Sequence, residues 1–316
     1  MKINKSATEK SQCRSPWYHY PRARDGLHDV LATLAERYNV STVLLPGYIG
    51  WSAREGSGIW DPIAQLSSLD KGFYRMTSDL AIDVSSLRLL LEKAGGRICA
   101  VLIINYFGFT DIHASSVSEL VRQHGGFVIE DNAHGFFSYH CRADDLSDVT
   151  FFSLHKMFPF AQGGSVLVKS ANLADIALKG CRDIGEENPW DYDWGQISII
   201  RRTNFQAIDE LINCAPDYLS FFRPLRNLRS LSDVPQSYPV YLVQGNRDYA
   251  YQALNNMGFG VVSLYHTLIE PLHLPDHEDA LRLSRKILNL PVHQDVDRAQ
   301  YANLLSALKL ACQHSL

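Results

Sequence analysis

The sequence lacks several features that would settle a class at once. Its six cysteines, Cys13, Cys99, Cys141, Cys181, Cys214 and Cys312, are scattered and form no Cys-x-x-Cys pair. That argues against a disulfide framework and a zinc site, and it suits a reducing compartment. No apolar run approaches the roughly 20 residues that span a bilayer. The opening Met1-Lys-Ile-Asn-Lys-Ser6 is polar and has no signal-peptide centre. Together these predict a cytoplasmic protein with no membrane partner. Charge of one sign is also missing. Thirty Lys and Arg stand against 34 Asp and Glu, a net charge of -4, and no basic run is present to attract nucleic acid. His-Glu-x-x-His, the P-loop and Gly-x-Gly-x-x-Gly are absent, so metalloprotease, nucleotidase and dinucleotide readings have no support.

What is present is an ordinary globular composition, 46% hydrophobic and 20% charged, over 316 residues. That length allows one large or two modest domains. Apolar residues at helical spacing predict helices over 27–38, 83–93, 111–124, 171–180, 197–211, 247–257, 280–287 and 298–311. Short apolar runs predict strands over 40–45, 73–79, 99–104, 127–131, 149–153, 165–169, 238–243 and 261–266. The run Cys99-Ala-Val-Leu-Ile-Ile104 is apolar throughout, as a parallel strand covered on both faces should be. Strand and helix alternate through this region, the signature of a parallel α/β sheet. Residues 186–196, acidic and aromatic, predict a loop or lid.

The chain is organised around residues 127–165. One apolar run ends at Glu130-Asp131, a second at Ser153-Leu-His-Lys156, and Gly163-Gly164 leads into a third. In α/β folds ligands collect at strand carboxyl ends. An acid, a lysine and a small hydroxyl collected there suit pyridoxal 5'-phosphate, which needs a partner for its ring nitrogen, an amine for its aldehyde and donors for its phosphate.

These residues resemble the DegT/DnrJ/EryC1/StrS family of PLP-dependent sugar aminotransferases. The resemblance is carried by Glu130-Asp131-Asn132-Ala133-His134, Ser153, Lys156 and Gly163-Gly164, and later by Leu290-Pro-Val-His293. It implies an aspartate-aminotransferase-like fold of type I: a large, mostly parallel sheet domain over 1–236, its first 20 or so residues loose, and a small C-terminal α+β domain over 237–316. It implies Lys156 as the Schiff-base lysine, Asp131 on the pyridine nitrogen, and His134 against the ring. Ser153 and the helix start at Ala23 and Arg24 would hold the phosphate, and Trp51, with Tyr48 second, would stack on the ring. Each role has a plainer counterpart. Arg24 would be a solvated helix start, Trp51 core, Asp131 a helix cap, and His155 and Glu130 structural.

Three departures from the family pattern stand out. Two fewer residues separate Ser153 from Lys156, Ala23-Arg24 stand where Gly-Thr is usual, and the Gly-x-Asn-Tyr-Arg motif is missing. Arg202 and Asn204 are candidates to replace that motif, with a solvated helix as the plainer reading. The resemblance further implies a homodimer and small-molecule substrates, an amino donor such as glutamate or glutamine and a keto-sugar acceptor. Two rivals remain at this point: another PLP reaction such as dehydration, or a non-catalytic relative that binds or regulates.

Overall fold

A computed structural model describes residues 17–144, 146–183 and 187–315. Cys13 and most of the N-terminal segment expected to be loose lie outside the described residues, and the other five cysteines are free.

The main sheet is built from β1 (Trp17–Tyr20), β2 (Val40–Pro46), β3 (Asp70–Tyr74), β4 (Ile98–Ile104), β5 (Phe127–Asp131), β6 (Val149–Ser153) and β7 (Gly164–Val168). Their order is β1-β7-β6-β5-β4-β2-β3. β3, β2, β4, β5 and β6 run parallel, while β7 is antiparallel to both β6 and β1. β7 therefore begins at the edge of the sheet where β5 and β6 end.

Helices α1 (Ala23–Arg37), α2 (Trp60–Ala64), α3 (Val84–Lys93), α4 (Ala114–Gln123) and α5 (Phe136–Cys141) interleave with these strands. The strand period of two sends alternate residues to opposite faces. Leu102 and Ile104 thus pack with Leu27, Val30 and Leu34 of α1. Val101 and Ile103 pack on the other side with Leu87 and Leu91 of α3 and Val117 and Val121 of α4. Each such side chain contributes about 1.5–3 kcal/mol on full burial. Asp83 caps α3 by accepting from the Ser86 N–H at 3.0 Å.

After the sheet, α6 (Trp194–Cys214) crosses to a second sheet, made of β8 (Phe222–Pro224), β9 (Ser237–Leu242) and β10 (Ile287–Pro291). Its order is β10-β9-β8, antiparallel throughout. Helices α7 (Arg247–Asn256), α8 (Glu278–Ser284) and α9 (Tyr301–His314) accompany it.

Two expected elements do not form. Residues 171–180 were expected to be helical but hold only one 3-10 turn, Ala171–Leu173. The chain there is tied to other elements instead: Tyr18 donates to the Ile176 carbonyl at 2.8 Å, and the Lys179 N–H donates to Asp29 at 2.6 Å. Residues 261–266 make no strand. Only Val262 bridges to Asn289, after which the backbone turns through Tyr265 at φ 56°. The expected loop over 186–196 is shortened by α6, which begins at Trp194 with Asp193 accepting from the Gln196 N–H at 2.9 Å.

Candidate active site

At the carboxyl end of β5, alternation separates the two carboxylates. Glu130 faces away from the cavity, fully buried. It is paired with Arg142 and receives Asn105 Nδ2 at 2.8 Å and Ser147 Oγ at 3.0 Å. Burial alone would raise its pKa, but Arg142, with Lys169 and Asn105, holds it below the ordinary value. Glu130 is therefore structural, and Asn105, whose Oδ1 also accepts from the Asp111 N–H, anchors its loop on that side. Replacing Arg142 with alanine strands a buried carboxylate, and a loss of about 3–5 kcal/mol in denaturant unfolding is expected.

Asp131 faces the opposite way, into a cavity of about 750 Å³. Among the described residues its carboxylate accepts one hydrogen bond, from the Ala133 N–H at 2.7 Å. Burial pushes its pKa up to about 6, against the pull of that N–H and of Lys156.

β6 ends at Ser153 and passes straight into the 3-10 turn Leu154–Lys156. Lys156 extends into the same cavity, and its Nζ lies 3.2 Å from His134 Nε2. Burial lowers the pKa of the lysine, and Arg24 adds to this, while Asp131 and Glu55 oppose it. Burial, then Lys156, holds His134 well below its ordinary value, so its ring is neutral.

The start of β7 meets the start of α1. A Cβ on Gly164 would lie 2.3 Å from the Ala23 nitrogen, so only glycine permits this approach. The Gly163 N–H donates to the Pro21 carbonyl at 2.9 Å. Arg22, the N-cap, makes no side-chain bond to the free N–H groups of the helix, its guanidinium donating instead to Asp25 at 2.9 Å, and this end of α1 opens on the cavity. An uncapped helix start offers N–H groups and a favourable dipole to an anion. Arg24 leans on the loop opposite, donating to the Glu55 carbonyl at 3.0 Å.

All seven residues singled out in the sequence, Ala23, Arg24, Trp51, Asp131, His134, Ser153 and Lys156, line this one cavity. Trp51 is 43% exposed at its mouth, its backbone N–H donating to the Thr267 carbonyl at 2.9 Å, so it is not plain core. Tyr48 is buried behind the wall and does not line the cavity. Arg202 and Asn204 are not cavity residues, and neither is simply solvated. Arg202 binds carbonyls of the 230–233 loop, and Asn204 is buried against the carbonyls of Val292 and His293.

Sequence reasoning missed Tyr265. Its ring packs 5.9 Å from that of His134 and within 5.3–5.7 Å of Tyr106, Tyr48 and Phe107. Gly50 makes room for it: a Cβ there would come within 2.9 Å of the ring. An aromatic residue at positive φ in a cavity wall signals a backbone held under strain at a functional position. That signal is conformational and has no sequence counterpart.

Residues 76–208 match the DegT/DnrJ/EryC1/StrS aminotransferase family. The matched stretch runs from the end of β3 into α6 and includes Asp131, His134, Ser153 and Lys156. Among solved structures, the chain is similar to a DegT/DnrJ/EryC1/StrS aminotransferase from Brucella abortus. Identity is 16%, the TM-score is 0.69, and 94% of this chain and 86% of that one are covered. It is also similar to PseC from Helicobacter pylori, described as an aminotransferase of pseudoaminic acid biosynthesis (15%, TM-score 0.69, 94% and 87% covered). DesV from S. venezuelae is a third (17%, TM-score 0.67, 94% and 85% covered). At these identities the likeness establishes the fold, that of the type I PLP enzymes. No curated protein matches the sequence.

PLP is the cofactor of DegT/DnrJ/EryC1/StrS aminotransferases, and the residues present fit it. The cavity offers an amine of lowered pKa, a carboxylate with no cation bonded to it, and an uncapped helix start brought close by Gly164.

Proposed function

We propose that this chain is a PLP-dependent aminotransferase moving an amino group from glutamate or glutamine to a keto-sugar. We further propose that the sugar is nucleotide-linked and destined for polysaccharide or a secondary metabolite, and that the enzyme is a cytoplasmic homodimer. The observation that carries the reading is Lys156 beside His134, over Asp131, in one cavity. The family match supports the reaction class. Supporting a sugar are the polar groups around the mouth, among them Ser52, Glu55, Gln162, Ser263 and His266, which suit hydroxyl recognition.

When bound, PLP supplies an aldehyde for the amine and an electron sink for the pair left when a proton leaves Cα. Lys156 holds the aldehyde, and its lowered pKa keeps more of the amine unprotonated and nucleophilic. Freed by the incoming donor, Nζ takes a proton and returns it, which is the general acid–base work. Neutral His134 orients Nζ through the 3.2 Å contact. Asp131 keeps a proton on the ring nitrogen by stabilising its positive form. Ser153, Arg24 and the helix start hold the phosphate. Lys156 distinguishes the chain from the family's dehydratases, which carry histidine there.

The test is a half-reaction. PLP-loaded protein mixed with glutamate and no acceptor should release one 2-oxoglutarate per site, detected by mass spectrometry. Loaded protein that releases no 2-oxo acid from any amino donor would overturn the aminotransferase reading.

A further inference from the structure

His155 lines the cavity but has no part in the mechanism above, and its role rests on reading the site as phosphate-binding. Ser153 and Lys156 are joined directly by the 3-10 turn Leu154–Lys156. With three residues per turn, side chains three apart eclipse. Ser153 and Lys156 therefore both look into the cavity, while Leu154 turns into the aromatic cluster around Phe136 and Phe152.

His155 takes the third direction. Its ring also lines the cavity, with Nδ1 3.3 Å from Ser153 Oγ. It differs from a packed histidine such as His140, whose ring sits 4.6 Å from Phe136 and 4.7 Å from Trp194. No aromatic ring packs on His155 among the described residues.

A serine hydroxyl has one proton. If it is to donate that proton to an anion, its other bond must be one it accepts. We propose that His155 is a positioning residue for phosphate: Nδ1–H donates to Ser153 Oγ and so directs the Ser153 O–H at a phosphate oxygen. Glu55 and Lys156 are the charged groups facing the ring, and the Gly163 carbonyl beside it is another group that can only accept.

The experiment compares uptake of pyridoxal phosphate with uptake of pyridoxal, which lacks the phosphate. The wild type, His155→Ala and His155→Asn are followed by visible absorption of the lysine-bound aldehyde. Thermal melting checks that each variant is folded. Alanine should weaken pyridoxal phosphate about tenfold, a charge-assisted bond's share, and leave pyridoxal unchanged. Asparagine, whose amide can reach the Nδ1 position, should restore most of the loss. An equal loss for both aldehydes, no loss for either, or no rescue by asparagine would overturn the proposal. Wild-type protein that takes up neither aldehyde would overturn the parent reading along with it.

Discussion

Lys156→Ala should lose turnover by about 10⁴-fold or more, because one side chain supplies both covalent capture and proton transfer. The visible absorption of the bound aldehyde should vanish with it. Stability should move the other way. The folded state lowers the pKa of Lys156, chiefly by burial, so the ammonium form is disfavoured there. Below the unfolded pKa that difference counts against folding, and removing the amine relieves it. The empty variant should melt no lower than the wild type. A variant that keeps its turnover would sink the assignment, and one that loses turnover and also unfolds would leave the lysine with a structural role.

Asp131→Asn is the second large effect. The amide is isosteric but cannot stabilise a protonated ring nitrogen, and a fall of about 10²–10⁴-fold in kcat is expected. The substitution also tests the electrostatics of the empty cavity. The Asp131 pKa is raised to about 6 in the folded protein, mainly by burial. The folded state then binds more protons than the unfolded state between the ordinary carboxylate pKa and about 6. Stability should therefore fall as pH rises through that window, by up to about 3 kcal/mol from this one group. In Asp131→Asn that slope should be lost, and the empty protein should be more stable than wild type at pH 7. Unfolding followed by urea at pH 4 and pH 7 reads both effects, and an unchanged slope would mean that the carboxylate is not desolvated.

The frame of the fold was legible because period and pattern agree along it. Cys99–Ile104 is apolar at every position and became the buried β4. The run ending Glu130-Asp131 placed one carboxylate in the cavity and the other on Arg142, as a strand period of two requires. The gathering of Ala23, Arg24, Asp131, His134, Ser153 and Lys156 could be read because strand ends and a helix start have local signals. Tyr265 could not. Residues 261–266 have the composition of a strand, and only the contact with Gly50 and the bridge at Val262 decide that the chain turns there. Residues 171–180 failed for a similar reason. Their helical pattern was overridden by bonds from Tyr18 and to Asp29, partners about 150 residues away in sequence.

The seating of α1 against Gly164 has a consequence for synthesis. Among the described strands β1 pairs with β7 alone, the His19 backbone bridges to Cys181, and Asp29 accepts from the Lys179 amide. Among the described residues β1 therefore has no strand to pair with until β7 has been made, although α1 can already pack on Leu102 and Ile104 of β4. Contacts of such long sequence separation close late, because loop entropy must be overcome first. The phosphate end of the cavity should form on a nascent chain well after β4 and β5 have paired, with the wall at residues 263–266 added later still. PLP would then engage a nearly completed large sheet rather than template it, and early truncations would carry the β5 acid without the lysine or the anion cradle.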